Sequence, residues 1–190
     1  MFDYLGVLVS VIFGLALTHS LTGLSRVIQM RSHVRIYWVH LVWTLNIILY
    51  VLGLWWGMYW WKHLVDWTIG WFLFLAVYAS VMYLLSAMLY PHEVADGFDF
   101  ERHFESNRRW FFGVLLLALA LDVPETLAKG VDRLRDVPAQ YVMFLPVMFT
   151  LGLAGFFFGG RRVQSLVAVG VLLTLLCYMN FTSLERIVVR

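Results

Sequence analysis

The sequence predicts an all-α integral membrane protein: one bundle of six transmembrane helices with short amphipathic interfacial helices. Hydrophobic residues make up 62% of the 190 residues and charged residues only 14%, whereas a soluble domain carries roughly 25% charged residues. The apolar residues are grouped into six segments, most of them close to the roughly 20 residues that a helix needs to cross a bilayer. We therefore expect residues 1–190 to form a single transmembrane domain.

The six apolar segments set the bounds of the predicted helices, which are residues 4–28, 36–61, 67–90, 110–127, 139–158 and 163–187. The first segment has no basic residue before it and is too long for the apolar part of a signal peptide, so we expect an uncleaved helix. The fifth contains Pro146, which is expected to kink it. Gly159 and Gly160 can adopt the left-handed backbone that ends a helix, and they separate the last two helices.

Amphipathic segments border the fourth helix on both sides. The stretch DFERHFESNRRWFF begins with Asp99 as the predicted N-cap and runs directly into helix four, with phenylalanines near one face. After the helix, DVPETLAKGVDRLRDVP has apolar residues at helical spacing. It predicts a short surface helix on the other side of the membrane.

The distribution of basic residues predicts the orientation, because cytoplasmic loops carry an excess of Lys and Arg. The side of the first, third and fifth loops has Arg26, Arg31, Arg35, Arg102, Arg108, Arg109, Arg161 and Arg162. The other side has Lys62, Lys129, Arg133, Arg135, Arg186 and Arg190. The first helix has basic residues only after it, so we expect both termini to lie outside the cytoplasm.

Small residues recur at steps of four along the first helix, at Gly6, Ser10, Gly14, Thr18 and Thr22. In lipid, small residues allow the close backbone approach and the hydroxyl hydrogen bonds that hold helices together. Helix two has a similar seam that includes Asn46, Tyr50, Gly53 and Gly57, and helix three has one that includes Ser80 and Tyr83. We expect helices one to three to pack through these seams, within one chain or between copies of a homo-oligomer.

Polar and ionisable residues in or near the apolar segments are the candidate functional groups, because such groups are costly in a bilayer. The candidates for a pathway or ligand site are His19, Thr22, Arg26, His40, Asn46, Asp122, Glu125, Tyr178 and Glu185. Two interpretations of His19 stay open. It either fixes packing through a hydrogen bond to a neighbouring helix, or it handles protons or a ligand.

Asp122 and Glu125 also have two interpretations, which depend on where helix four ends. If it ends at Leu121, the apolar run from Trp110 is too short to span unless the helix begins in the amphipathic lead-in. The two carboxylates then form an interfacial capping box. If the helix continues to Leu127, both lie in the membrane as a carboxylate pair for cations or protons.

No cofactor or metal is predicted. His40 lies on the same membrane side as His19, and paired histidines on facing helices can ligate a b-type haem. Their predicted depths differ by roughly 7 Å, which disfavours haem. The third loop contains His92, Glu93, Asp99 and His103, but their spacing matches no metal motif.

Charge and motifs restrict the function classes further. A net charge of only +2 provides no basic field for nucleic acid, so we exclude that class. The single cysteine, Cys177, cannot form an intrachain disulfide. The sequence has no GxSxG, glycine-rich phosphate loop, HExxH or CxxC motif, and nothing in it argues for an enzyme.

The layout GLALTHSLTGLSR, followed by YWVHLVW and then NRRWFF, resembles small polytopic inner-membrane proteins of bacteria whose biochemistry is uncharacterised. The resemblance covers about 120 of the 190 residues and implies a bacterial inner membrane but no activity. The polar candidates predict a small oligomeric channel or transporter for ions or protons. The alternatives are a non-catalytic sensor or scaffold that binds a partner protein, and a membrane haem or redox protein.

Overall fold

The computed structural model describes residues 2–63, 67–91, 93–128 and 139–188. These residues form α1 (Phe2–Gln29), α2 (Trp38–Gly57), a 3-10 helix (Met58–His63), α3 (Ile69–Ala87), α4 (Phe100–Ala128), α5 (Ala139–Phe157) and α6 (Arg161–Val188). The described part of the chain contains no β-strand. The all-α prediction is confirmed, and most helix ends lie within a few residues of the predicted ones.

Five helical stretches within the described residues are long and apolar enough to cross a membrane. They are Gly6–Gln29, Trp38–Gly57, Ile69–Ala87, Phe100–Ala128 and Arg161–Asn180. Their outward faces expose large apolar side chains such as Trp110 and Leu166, as contact with lipid requires. The chain is therefore a multi-pass membrane protein. The apolar stretch of α5, Met143–Phe157, is shorter, so a sixth span stays a prediction.

The helices pack as a closed ring, and α2 contacts more of the other helices than any other helix does. In order around the ring, α1 contacts α3, α3 contacts α4, α4 contacts α5, α5 contacts α6, and α6 contacts α2, which returns to α1. Helix α2 also touches α3 and α4. Aromatic side chains fill the interior between α2 and α4, where Trp43 packs at 4.9 Å on Phe111 and at 5.3 Å on Phe112 between ring centroids.

Helix α4 is one continuous helix that includes the amphipathic lead-in. The backbone N–H of Arg102 donates to Asp99 Oδ1 at 3.1 Å, so the predicted N-cap is confirmed. The lead-in supplies the length that the apolar run lacks, and the helix continues through Pro124 to Ala128. The capping-box interpretation is therefore wrong, because Asp122 and Glu125 lie inside α4. Residues 129–138, which include most of the second predicted surface helix, lie outside the described residues.

Backbone contacts between loops fix the ends of the helices. The Arg35 N–H donates to the Phe98 carbonyl at 2.8 Å, and the Phe100 N–H donates back to the Arg35 carbonyl at 3.2 Å. These bonds hold the start of α4 beside the start of α2. Between α5 and α6, Gly160 has a φ of +97°, the left-handed backbone that the sequence predicts there.

The small-residue seam of α1 lies outside the contact with α3. A Cβ atom at Gly6 or Gly14 would meet no atom within 4 Å, and Ser10, Thr18 and Thr22 are exposed. One described contact within the chain uses the seam, since Trp55 of α2 donates its indole N–H to the Ser10 hydroxyl at 3.2 Å. Packing of the seam between copies stays a prediction.

Helix α3 packs instead on a neighbouring face of α1 that contains Ala16, Ser20 and Gly23. The hydroxyls of Ser20 and Ser86 are 2.8 Å apart, and Ser86 also donates to the Ala16 carbonyl at 2.8 Å. Gly23 lies against the ring of Tyr90. This face combines small residues with paired hydroxyls, which is how helices approach closely in lipid.

The seam of α2 packs on α6. The Asn46 side chain donates to the Ala168 carbonyl at 2.9 Å, and a Cβ at Gly53 would lie 3.3 Å from Met179 Cε. Gly57, the last residue of the predicted seam, is half-buried. The seam predicted from small and polar residues is thus a packing face. Asn46 and Gly53 pack on α6, and Tyr50 contacts Tyr78 of α3.

Candidate functional site

Two carboxylates lie buried inside the bundle on successive turns of α4. Asp122 is 7% exposed and Glu125 is 5% exposed. Residues three apart in a helix face the same side, so both point inward with the buried Ala118 and Leu119 of the preceding turn. An ionised carboxylate is costly to bury without hydrogen bonds, so its partners decide what it can do chemically.

Each carboxylate accepts a hydrogen bond from an aromatic side chain on another part of the bundle. Tyr78 of α3 donates its hydroxyl to Asp122 Oδ1 at 3.0 Å. Trp61 of the 3-10 helix donates its indole N–H to Glu125 Oε1 at 2.8 Å. The hydroxyl of Tyr50, on α2, lies 3.4 Å from that of Tyr78. We call these five residues the carboxylate cluster.

The hydroxyls of the carboxylate cluster form a chain with a defined direction. A tyrosine hydroxyl has a single proton, and Tyr78 uses it on Asp122. In its contact with Tyr78, the Tyr50 hydroxyl must therefore be the donor. The chain runs from Tyr50 through Tyr78 to Asp122, which connects the interior of α2 to the buried acid on α4.

Aromatic rings enclose the cluster and hold the Trp61 indole in place. Trp61 is 1% exposed and packs at 5.7 Å on Trp67 and at 5.6 Å on Trp71 between ring centroids. Thr68 caps the start of α3, because its hydroxyl accepts a hydrogen bond from the backbone N–H of Trp71 at 3.4 Å. The burial of both carboxylates strengthens the hydrogen bonds that they accept.

A second buried polar group, His40, lies at the opposite end of the bundle. Its Nε2 is 2.7 Å from the Leu89 carbonyl, which can only accept, so Nε2 carries the proton and donates. The ring packs at 4.7 Å on Tyr90 and at 4.9 Å on Phe100 between centroids. Thr44 hydrogen-bonds the Tyr90 hydroxyl at 2.8 Å. His40 therefore joins α2 to the loop after α3 and to the start of α4.

The two histidines of the haem alternative, His40 and His19, lie in different surroundings. His40 donates its Nε2 proton to the Leu89 carbonyl. His19 is half-buried and packs edge-on against Tyr83 of α3 at 6.2 Å between ring centroids. The two rings thus contact different neighbours.

The described features of the other predicted candidates lie in other parts of the bundle. Arg26 is half-buried in the last turn of α1, and Thr22 is exposed. Tyr178 of α6 packs at 4.6 Å on Phe144 of α5 between ring centroids. Glu185 lies in α6, but its side chain falls outside the described ones. Asn46 donates a hydrogen bond to the Ala168 carbonyl of α6.

Three members of the cluster were not candidates in the sequence. The tryptophans around Trp61 are typical of an aromatic belt at the membrane surface, and Tyr50 belongs to the packing seam of α2. Tyr78 lies off the seam predicted for α3. Its spacing from the buried Leu75 and Met82, three and four residues away, is the signal that places it on an inward face.

No group of three histidine, cysteine, aspartate or glutamate side chains that could hold a metal ion is found among residues that the structure describes. Comparisons with protein-family models, curated proteins and solved structures give no match for this chain. The carboxylate cluster is therefore interpreted from its own residues and contacts.

Proposed function

We propose that the protein is a small channel or transporter that moves protons through the helical bundle, with Asp122 and Glu125 as the groups that bind them. One observation carries the proposal: both carboxylates are buried, at 7% and 5% exposure, in a helix that is apolar and long enough to cross a membrane. Ionisable groups in such positions are expensive and typically mark ion pathways or proton relays.

The hydrogen-bond donors around the carboxylates favour protons over metal cations. Sites for sodium, calcium or magnesium surround the ion with oxygen lone pairs. Here Tyr78 and Trp61 direct an O–H and an N–H at the carboxylates instead. A protonated carboxyl group still accepts hydrogen bonds, so each carboxylate can take up a proton and keep its donor. The Tyr50 and Tyr78 hydroxyls then provide a path for protons away from Asp122.

Proton flux in liposomes tests this function. We expect Asp122→Asn and Glu125→Gln each to slow proton uptake after an acid pulse by about tenfold or more, because an amide does not take up a proton in this range. A trapped pH-sensitive dye reports the rate. The matched control is Asp96→Asn, which removes a carboxylate whose side chain is 83% exposed and should leave the rate unchanged. Equal rates in all variants, or no flux above empty liposomes, would refute the proposal.

The alternative function, a scaffold or sensor that binds a partner, is favoured by a different observation. The outward seam of α1 exposes Ser10 and Thr18 and has open space at Gly6 and Gly14. Small residues on a lipid-facing side allow another helix to approach. A second copy of this chain fits such a face, which also supports the proposed homo-oligomer. Absence of proton flux from a stable oligomer would favour this alternative.

The proposed location is a bacterial inner membrane, with both termini outside the cytoplasm. The resemblance described above supports the membrane, and the excess of arginines in the first, third and fifth loops supports the orientation. In this orientation His40 lies towards the cytoplasm and the carboxylate cluster towards the outside. Protons would then reach Asp122 and Glu125 first from the outer side.

A further inference from the structure

Two buried polar atoms near the middle of α2 have no hydrogen-bond partner among the residues that the structure describes. They are Nε1 of Trp43 and Oδ1 of Asn46, in residues that are 1% and 2% exposed. The other amide atom of Asn46 is assigned by its hydrogen bond to the Ala168 carbonyl at 2.9 Å. One atom is therefore a donor and the other an acceptor, and buried groups of this kind are normally paired.

The two residues lie on the same side of α2, and they contact α4 and α6. Trp43 and Asn46 are three residues apart, which places their Cβ atoms roughly 5–6 Å from each other. The Trp43 ring packs against Phe111 and Phe112 of α4. On α6, one turn before Ala168, the fully buried Gln164 has a further unpartnered acceptor, Oε1, among the described residues.

We propose that an internal water molecule binds between α2, α4 and α6, accepting the Trp43 N–H and donating to Asn46 Oδ1. Water is small and neutral and offers a donor and an acceptor at once, and buried waters typically make two to four such bonds. An anion would leave the Asn46 oxygen unpaired, and a cation would face the Trp43 N–H. The donor and acceptor pair therefore selects water over either kind of ion.

The position of this water gives it a role that rests on the proposed function. Asn46 precedes Tyr50 by one turn on α2, and Tyr50 is the first donor of the hydroxyl chain that ends at Asp122. The water extends that chain towards Thr44 and Tyr90 at the other end of the bundle. It is the middle link of a proton path between the carboxylate cluster and the predicted cytoplasmic side.

Radiolytic labelling of the intact wild-type protein tests the water site. Brief X-ray exposure makes hydroxyl radicals from bound water, and these oxidise the side chain beside it. We expect Trp43 to oxidise roughly fivefold faster than Trp61, measured by mass spectrometry of peptides, because only Trp43 directs its N–H at water. Trp61 is the matched control, since it is also 1% exposed and its N–H is bound to Glu125. In Asn46→Leu the Trp43 rate should fall to that of Trp61.

The labelling and flux experiments together distinguish failure of the water site from failure of the proposed function. Equal oxidation of Trp43 and Trp61 in the wild type would overturn the water site, because the Trp43 N–H would then face the phenylalanine rings. This comparison needs no variant to fold. Fast oxidation of Trp43 together with unchanged flux in Asp122→Asn would keep the water site and refute the proposed function. Equal oxidation of Trp43 and Trp61, together with flux that depends on Asp122, would refute the water site and keep the proposed function.

Discussion

Replacing Arg108 with methionine is expected to lower the free energy of unfolding by about 3 kcal/mol, because two charge-assisted hydrogen bonds are lost. Arg108 Nη1 donates to the carbonyls of Gly155 and Phe156, both at 2.6 Å. These carbonyls end α5 and have no partner within the helix. Glu105 lies 3.4 Å from the guanidinium, so it would also lose its counter-charge. Methionine keeps the apolar stem, which isolates the loss of the cap.

The matched control for this change is Arg109→Met. Arg109 is the next residue of α4 and is exposed, so its replacement should alter the free energy of unfolding by no more than about 0.5 kcal/mol. Reversible unfolding in mixed micelles with increasing sodium dodecyl sulfate measures both variants. Equal effects at the two positions would show that the cap on α5 contributes no stability of its own.

Replacing Gly23 with alanine is expected to cost about 2 kcal/mol of unfolding free energy, because it overfills the contact between α1 and the end of α3. A Cβ at Gly23 would overlap the ring of Tyr90. That ring is only 6% exposed, and it is held by Thr44 at 2.8 Å and by the edge-on contact with His40. It therefore cannot move without disturbing buried contacts of α2.

Gly14→Ala on the same helix is the control for Gly23→Ala. A Cβ at Gly14 meets no atom within 4 Å, so this change should leave stability unchanged or raise it slightly through helix propensity. The same unfolding assay compares the two variants. If Gly14→Ala were as destabilising as Gly23→Ala, the contact faces of α1 described above would be wrong.

The helices of this protein are predictable from its sequence, because their signals are local. Runs of apolar residues locate the six helices. Asp99 predicts the N-cap of α4, and Gly160 predicts the break before α6. The inward face of each helix is not predictable in the same way. Where lipid surrounds the bundle, both faces of a helix are apolar, so hydrophobic periodicity does not show which one is buried.

Helix α1 shows this ambiguity directly. It carries two sets of small residues, one with Gly6, Gly14 and Thr18 and another with Ser20 and Gly23, and both have the spacing of a packing face. The regular steps of four favour the first set. The structure uses the second, because Ser20 has a hydroxyl partner in Ser86 and Gly23 has the Tyr90 ring. The complementary groups lie far away in the chain.

The acids of the candidate site could be predicted from the sequence, but their hydrogen-bond donors could not. Asp122 and Glu125 are conspicuous as acids beside an apolar run, and their type alone makes them candidates. Their donors are separated from them by 44 residues for Tyr78 and 64 residues for Trp61. Nothing local distinguishes these aromatic residues from the others of an aromatic-rich chain. Only the packing of α3 and the 3-10 helix against α4 identifies them.

Infrared difference spectroscopy of the purified protein across a pH change tests the central claim, that Asp122 and Glu125 take up protons inside the bundle. The account predicts a carboxylic acid C=O band on acidification, at the high frequency typical of a buried carboxyl and shifted in heavy water. Asp122→Asn and Glu125→Gln should each remove part of this band. A spectrum without a buried carboxyl band, or with one that neither variant changes, would contradict the account.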